Sequence, residues 1–348
     1  MAETTTPGFD RAGAHAGTTG EARRKEFARR HPLTIYVLKR VVSIPVVLFL
    51  LSIATFSLTY LTPGSAVTAL LGGRPSTPAA IAQIEAEYHL NGSLLTQYGN
   101  WLAGAVHFNF GTSIRTSQPV SEVLGNALPI TIFLGVYAFL IVVILGVALG
   151  VVAARFARSS LDRVITSASI IGISTPAFIS AVVLLYLFTL KLGWLPAYGV
   201  GQGFTDRAWH LTLPAFALAG SSIGLMIRFT RSAVIDVLEQ DYVTFAKARG
   251  LSRTRIYLQY VLRNGIVPVV TASGLLVVFM LTSTILVEVT FATQGVGSLF
   301  ASSVQFKDTP VLQALTLTIG LLIIITNLLA DVLYIVLDPR QRRRAGGL

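Results

Sequence analysis

The chain of 348 residues has no cysteine, which excludes a disulfide framework, thiolate catalysis and any cysteine-ligated metal. Charge is also scarce: Asp, Glu, Lys and Arg make up 12% of residues, against 53% hydrophobic ones. Mean hydropathy is +0.68. A soluble domain with so little charge would not stay in water, so the composition indicates a polytopic membrane protein. The five histidines (His15, His31, His89, His107, His210) show no metal-ligand spacing; His89 and His107 read as loop residues. The chain lacks the G-x-x-x-x-G-K-[ST] run that cradles a triphosphate, so it is not expected to hydrolyse ATP itself. Ser and Asp occur without a nucleophile-elbow pattern. The expectation is therefore a chain with no catalytic, cofactor or metal residues of its own.

What the chain has is long apolar runs. Six of them approach or exceed the roughly 20 residues that cross a bilayer: Val41–Leu61, Ile130–Ala154, Ile165–Leu190, Leu211–Ile227, Ile266–Val287 and Val311–Leu337. The fourth is the shortest and is expected to borrow a turn from Arg228 onward. Residues 1–32 are polar, Gly- and Thr-rich, and read as a disordered tail before the first span, not as a cleavable signal. The spans then belong to one domain over 33–340, with a basic end at 341–348.

Lys and Arg decide the orientation. With both termini on the cytoplasmic side, that side holds twenty-two of them and the outside only Arg74, Arg115, Lys191, Arg207 and Lys307. Such an asymmetry is the positive-inside pattern of a cytoplasmic membrane protein. The net charge of +11 is therefore an orientation signal, not a nucleic-acid footprint. Arg340–Arg344 reads as a cluster that contacts lipid headgroups.

Thr62–Leu128 is an outside loop of 67 residues, too long to be structureless. Thr77-Pro78 is a helix start, Ile81, Ile84 and Tyr88 share one face, and Asn91-Gly92 is a stop. A second helix with Leu94, Leu95, Tyr98, Trp101 and Leu102 is expected after it. These helices either lie on the bilayer as an amphipathic cap or form part of a docking surface. Gly146, Gly150 and Ala154, and likewise Gly220 and Gly224, recur at intervals of four. Such spacing permits close helix contact, within the bundle or with another membrane subunit. Pro45, Pro176, Pro214 and Pro268 in or near spans favour kinks beside a cavity.

The most informative loop lies between spans four and five, at 236–265. Lys247, Arg249, Arg253, Arg255 and Arg263 keep it out of lipid. Asp236–Arg249 reads as a helix, Gly250 as a break, and Ser252 as the cap of a second helix with Ile256, Tyr257, Tyr260 and Val261. Asn264 and Pro268 are expected to end that helix. Two helices meeting at a glycine corner can sit in a groove of a cytoplasmic protein and act as a lever.

This loop resembles the "EAA" loop of binding-protein-dependent ABC importer permeases, Glu-Ala-Ala followed by three residues and Gly. Ala246 and Gly250 match, whereas Thr244 and Phe245 replace the first two letters. The peptide-permease form is closer: Asp241-Tyr242-Val243, Ala246, Ala248, Gly250-Leu251-Ser252, Leu262-Arg263-Asn264 and Pro268. Further runs resemble the same subfamily: Gly111-Thr112-Ser113 with Pro119-Val120, Thr175-Pro176-Ala177-Phe178, Gly193-Trp194-Leu195-Pro196 and His210-Leu211-Thr212-Leu213-Pro214. Asn327-Leu328-Leu329-Ala330-Asp331-Val332-Leu333-Tyr334 and Leu337-Asp338-Pro339-Arg340 complete the series, which covers about 33–340.

The resemblance implies a type I ABC importer permease fold with six transmembrane helices, and the first of two permeases in a dipeptide or oligopeptide system. It implies four kinds of partner: a second homologous permease, two cytoplasmic ATPases that bind ATP and Mg, an extracytoplasmic peptide-binding protein, and membrane lipid. By the same resemblance, Tyr242, Thr244, Phe245, Ala246, Lys247, Arg249, Gly250, Leu251, Ser252 and Arg253 form the coupling helix that meets one ATPase. Nickel chelates, glutathione or oligosaccharides are alternative cargoes on the same fold. A stand-alone channel or ion-coupled transporter is the alternative of a different class, and it would need intramembrane charges that the spans almost lack. For the path itself, Ser174 and Thr175, Ser221 and Ser222, and Thr282, Ser283, Thr284 and Glu288 supply polar groups within spans. Glu288 is either an interfacial carboxylate, exposed to water or hydrogen-bonded to loop backbone, or a charge at the mouth of the path that meets a peptide amino terminus. Asp331 reads as the partner of a basic residue.

Overall fold

The computed structural model describes residues 32–61, 67, 77–87 and 92–337. The expected disordered tail before Pro32, the basic end at 341–348, and the calls on Tyr88 and Asn91 lie outside these residues. Among the described residues the regular structure is helical, with one isolated bridge between Thr112 and Pro119. The elements are α1 (Pro32–Leu61), α2 (Pro78–Glu87), α3 (Leu94–Val106), α4 (Val120–Arg155), α5 (Ser160–Ser174) and α6 (Ala177–Leu184), extended by a π-helical turn at Leu185–Lys191. They continue with α7 (Gly203–Leu238), α8 (Asp241–Ala248), α9 (Arg253–Ile256), a π-helical turn at Tyr257–Val261, α10 (Leu262–Thr290), α11 (Val296–Gln305) and α12 (Thr309–Leu337).

Among the described residues, four helices are long and apolar enough to cross a membrane, in α4, α7, α10 and α12. The pair α5 and α6 makes a fifth if taken as one broken span, and α1 carries a shorter apolar stretch, Val41–Ser57. The third apolar run, Ile165–Leu190, breaks at Pro176, one of the prolines expected to favour a kink, and it bends there by 107°. Pro176 has no N–H to continue a helix, and its ring forces Thr175 into an extended conformation (φ −92°, ψ 118°). The fourth apolar run, Leu211–Ile227, lies within α7, which runs for 36 residues and continues past Arg228 as expected.

α7 is the axis of the bundle. Its apolar window is 67% buried, against 22 to 28% for the other three. Apolar side chains alone do not drive association in lipid, so close backbone contact must supply the attraction. Glycines permit it on both sides. A Cβ on Gly146 would lie 2.5 Å from the Met226 Cβ, and one on Gly150 would lie 2.6 Å from the Thr230 Cβ. One on Gly224 would lie 2.4 Å from the Ser169 carbonyl oxygen. Both small-residue stripes are thus used within this chain, α4 against α7 and α7 against α5.

The segment between α1 and α4 follows the expected helix starts. Ile81 N donates to the Thr77 carbonyl at 3.0 Å, and Ser93 caps α3 by accepting from Thr96 N at 3.3 Å. α3 rests on α1 through ring contacts of Phe56 with Tyr98 and Trp101, at 5.4 and 5.7 Å. It reaches α12 through Trp101 Nε1, which donates to Gln313 Oε1 at 3.0 Å.

Candidate functional site

The loop between α7 and α10 is built as two faces. The expected helix Asp236–Arg249 is interrupted: α7 ends at Leu238 and α8 begins at Asp241, because Gln240 is extended (φ −71°, ψ 146°). Val243 and Ala246, three residues apart, then fall on one side of α8 and are buried. They join Ala154, Val234, Val237, Ile256 and Val261 in one apolar cluster. Phe245 stands away from that cluster, 68% exposed, and Tyr242, four residues before Ala246, is 40% exposed at its edge. Thr244, Lys247, Arg249, Gly250, Ser252 and Arg253 are exposed too, and Leu251 is half-buried. Ala246 thus packs on its own bundle and anchors the loop.

The corner is a helix C-cap of defined chemistry. Gly250 N donates to Lys247 O at 3.0 Å and Leu251 N donates to Ala246 O at 3.2 Å. That reciprocal pattern needs a left-handed residue, and Gly250 has φ +75°. Ser252 then caps α9, its Oγ accepting from Arg255 N at 3.4 Å. The second loop helix does not end at Asn264 and Pro268 as expected. It passes through the π-helical turn straight into α10, and Asn264 Nδ2 donates to the Tyr260 carbonyl beside that turn at 2.8 Å. Tyr242 stacks on Tyr260 with ring centroids 6.0 Å apart, tying α8 to the root of α10. Burial raises the Tyr257 phenol above its ordinary value, while the nearby charges of Arg155 and Arg253 pull it down.

The path candidates are not equivalent. Ser174 and Thr282 are exposed, and Thr175 and Ser283 are half-buried. Ser221, Ser222 and Thr284 are buried in this chain. Four of the hydroxyls bond carbonyls one turn earlier: Thr175 to Ile171 (2.8 Å), Thr282 to Val278 (3.3 Å), Ser283 to Phe279 (3.2 Å) and Thr284 to Met280 (2.9 Å). This is ordinary back-bonding in apolar helices. Among the described residues the Ser222 hydroxyl is enclosed without a partner. Thr282 and Thr284 do share a cavity of about 410 Å³ with Thr131, but apolar side chains form most of its wall.

Of the readings of Glu288, the carboxylate bonded to loop backbone is the one this structure displays, and the residue is fully buried within the chain. Thr131 Oγ1 donates to its Oε1 at 2.6 Å, and Gly297 N and Ser298 N donate to its Oε2 at 2.8 and 3.1 Å. Thr131 Oγ1 itself accepts from Val296 N at 2.7 Å. The first N–H groups of α11 need acceptors, and Gly295 at the cap position has no side chain to offer one. Glu288 and Thr131 supply them from α10 and α4. Gly295 is required there, because a Cβ would lie 2.3 Å from Glu288 Oε1. The reading of Glu288 as bonded to loop backbone stands, in a buried setting.

Two acidic residues escaped the sequence reading. Asp308 receives Ser113 Oγ at 2.5 Å, Ile114 N at 3.1 Å and Arg115 N at 3.3 Å, so it clamps the turn 111–119 against the start of α12. Its place before Thr309-Pro310 was a readable helix-start signal. Asp162 follows Ser159 by three residues, a capping-box spacing that was also readable. Its bond to Arg231 spans too much sequence to be read.

Apolar helices packed around one small-residue axis, with an exposed basic loop rooted in two of them, are those of a multi-pass membrane protein. Residues 146–343 match the family described as "Binding-protein-dependent transport system inner membrane component", and residues 33–135 match its N-terminal companion. The chain belongs to this family, and so is a transport permease subunit of an ABC importer, which works with ATPase and binding-protein partners. A putative peptide transport system permease protein of Brucella abortus is 36% identical over 314 residues, 89% of this chain and 99% of that one. The oligopeptide transport system permease protein AppB of Bacillus subtilis is 35% identical over 315 residues, 88% of this chain and 99% of that one. The glutathione transport system permease protein GsiC of Salmonella choleraesuis is 35% identical over 307 residues, 88% of this chain and 98% of that one.

Proposed function

We propose that this chain is the first of two permeases in an importer that moves dipeptides or oligopeptides across the cytoplasmic membrane. The observation that carries the cargo assignment is the likeness, over nearly the whole chain, to permeases named for peptide and oligopeptide transport. In this reading the chain has six spans and both termini cytoplasmic. It pairs with a second, homologous permease, and receives peptide from an extracytoplasmic binding protein. Two ATPases supply ATP, Mg and hydrolysis, so the permease has neither a cofactor nor a catalytic step of its own. The outward face of the loop, Tyr242, Thr244, Phe245, Lys247, Arg249 and Arg253, meets one ATPase, while Val243 and Ala246 return its motion to α4, α7 and α10. Ser174, Thr175, Thr282 and Ser283 are the path candidates that keep some exposure.

A second cargo, glutathione, is favoured by the similarly close glutathione permease relative. Uptake of a labelled tripeptide and of labelled glutathione, in cells carrying the complete importer with and without this chain, tests the reading. Chain-dependent uptake of the tripeptide, competed by other peptides, is the expected result. Chain-dependent uptake of glutathione alone would replace the cargo, and uptake without the ATPases would revive the channel class.

A further inference from the structure

By sequence α3 belongs to a loop expected outside the membrane, yet it is laid against α1 and α12. A cavity of about 360 Å³ lies beneath it, lined by Pro45 and Leu48 of α1, Leu102 and Ala105 of α3, and Leu317 and Leu321 of α12. We propose that α3 is embedded in the membrane and that the acyl chain of a lipid fills this cavity. Pro45 and Leu48 fall inside the apolar stretch Val41–Ser57 of α1, and Leu317 and Leu321 inside the 24-residue apolar helix Thr309–Val332. At 1.5 Å per residue, Leu317 is about 12 Å and Leu321 about 18 Å along that helix from Thr309. A hydrocarbon layer is about 30 Å thick, so the cavity lies within its depth and not at its surface.

The segment suits that place. Between Glu87 and Arg115 the chain has no Asp, Glu, Lys or Arg, so no charge opposes insertion. Leu95, Gly99, Ala103 and Val106 follow one another at helical spacing as an exposed strip, bordered by Thr96 and Asn100. Leu95 is 82% exposed and Phe108, just past the helix, 69%. The neighbouring polar groups are held by the chain itself. Gln97 Nε2 donates to the Gly92 carbonyl at 2.8 Å, His107 Nδ1 bonds the Ala103 carbonyl at 2.8 Å, and Asn109 Oδ1 accepts from Gly111 N at 3.2 Å. The hydroxyls that line the cavity are engaged too. Ser52 Oγ bonds the Phe49 carbonyl and the Tyr98 hydroxyl, each at 2.7 Å, and Thr318 Oγ1 donates to the Ala314 carbonyl at 2.7 Å. Water finds few partners in such a space, and a void forfeits the contacts of its walls. Phe49 and Phe108 line the cavity and are both more than half exposed, so it opens on the flank of the bundle. A hydrocarbon chain entering from the lipid is the occupant that this depth, lining and opening share.

The chain has no native cysteine, so nitroxide labels at Leu95→Cys and Val106→Cys, with exposed Thr116→Cys as reference, test the embedding in the assembled importer in nanodiscs. Collisions with oxygen, which concentrates in hydrocarbon, and with a water-soluble nickel chelate report what surrounds each label. The ratio of oxygen to nickel access is expected to be several-fold higher at positions 95 and 106 than at 116. Native mass spectrometry after transfer to detergent then counts retained phospholipid. Ala105→Phe, which fills the cavity, is expected to keep one lipid fewer than wild type. If that variant does not assemble, Thr318→Leu fills the space from α12 and carries the same readout. Nickel access at 95 and 106 equal to that at 116 overturns the embedding in favour of a cap in water. Shielding of both positions from both reagents overturns it in favour of a protein neighbour, and an unchanged lipid count in the filled variants removes the acyl chain. These readouts depend on neither cargo nor orientation, so this inference and the peptide reading stand or fall separately.

Discussion

Arg231 grips Asp162 with two parallel bonds, Nε to Oδ1 at 2.7 Å and Nη2 to Oδ2 at 2.8 Å. Asp162 also accepts from Arg158 N at 2.8 Å and from Thr166 Oγ1 at 3.3 Å, so every lone pair has a use. The pair fixes the first turn of α5 to α7, not far before α7 gives way to the loop. Removing one partner of such a pair leaves a charge and an N–H without acceptors. The Arg231 side chain keeps 30% exposure, so water offsets part of that loss. Asp162→Ala is expected to destabilise by about 1–3 kcal/mol. Arg231→Lys, which keeps the charge but not the fork, should cost about half as much. Melting temperatures of the purified importer, with the double variant closing a thermodynamic cycle, check this; additive single effects would mean the two residues do not interact.

Glu288 works as the cap of a helix that is not its own. Glu288→Gln keeps an oxygen for Gly297 N and Ser298 N, and the Thr131 hydroxyl can turn to accept from the new amide. A loss of about 1 kcal/mol is expected. Glu288→Ala strands two buried N–H groups and opens a void, and should cost about 3 kcal/mol or more. Gly295→Ala should be comparably damaging, because its methyl would occupy the carboxyl's place. Protease susceptibility of α11 together with uptake distinguishes a cap from a substrate contact. If Glu288→Gln abolished uptake while α11 stayed protected, the carboxyl would belong to the path after all.

The features that were legible in the sequence are those written in local chemistry. Apolar length marked the helices, Gly250 and Ser252 marked the corner, and Thr77 marked the start of α2. The bend at Pro176 was foreseeable from the residue itself, but its size depends on how α5 and α6 pack on α7. The burial of Ala246 and the exposure of Phe245 were not legible, since both lie in one short run and only the cluster beneath the loop selects the inner face. Glu288 misled because a carboxylate near a span end looks exposed until the helix that folds back over it is seen. Gly295 and Gly297, seven and nine residues later, carried that information only through contact. Asp162 with Arg231 and Asp308 with Ser113 join residues far apart in the chain, which no periodicity reveals.

The two faces of α8 predict opposite phenotypes for adjacent substitutions. Phe245→Ala removes an exposed ring, so the permease should melt normally but respond weakly to its ATPase, with substrate-stimulated hydrolysis reduced several-fold. Ala246→Asp places a carboxylate in the apolar cluster beneath, and should destabilise the loop by several kcal/mol before any partner is involved. Gly250→Ala meets no neighbour within 4 Å, so its cost is the left-handed backbone alone, about 1 kcal/mol. Asn, which tolerates that conformation, should largely restore it. Thermal melts and ATPase assays on the same preparations separate the two effects. Unchanged stimulation in Phe245→Ala would move the docking surface off this face.

Orientation remains a proposal from charge, and the absence of native cysteine makes it directly measurable. Thr116 is exposed in the turn held by Asp308, and Ala248 is exposed at the end of α8. Neither side chain serves as a cap or fills a core, so Thr116→Cys and Ala248→Cys should leave the fold intact. With twenty-two basic residues assigned to one side and five to the other, moving the loop outside would carry seven Lys and Arg across against the positive-inside bias. A membrane-impermeant maleimide added to intact cells is therefore expected to label Cys at position 116 and to spare position 248. Opening the cells should expose both. The comparison also tests the span count, because an odd number of crossings between α3 and α8 is needed for opposite sides. α4, the broken pair α5 with α6, and α7 give three. Labelling of both positions from outside would show that the broken pair turns back without crossing, and the six-span topology would fall with it.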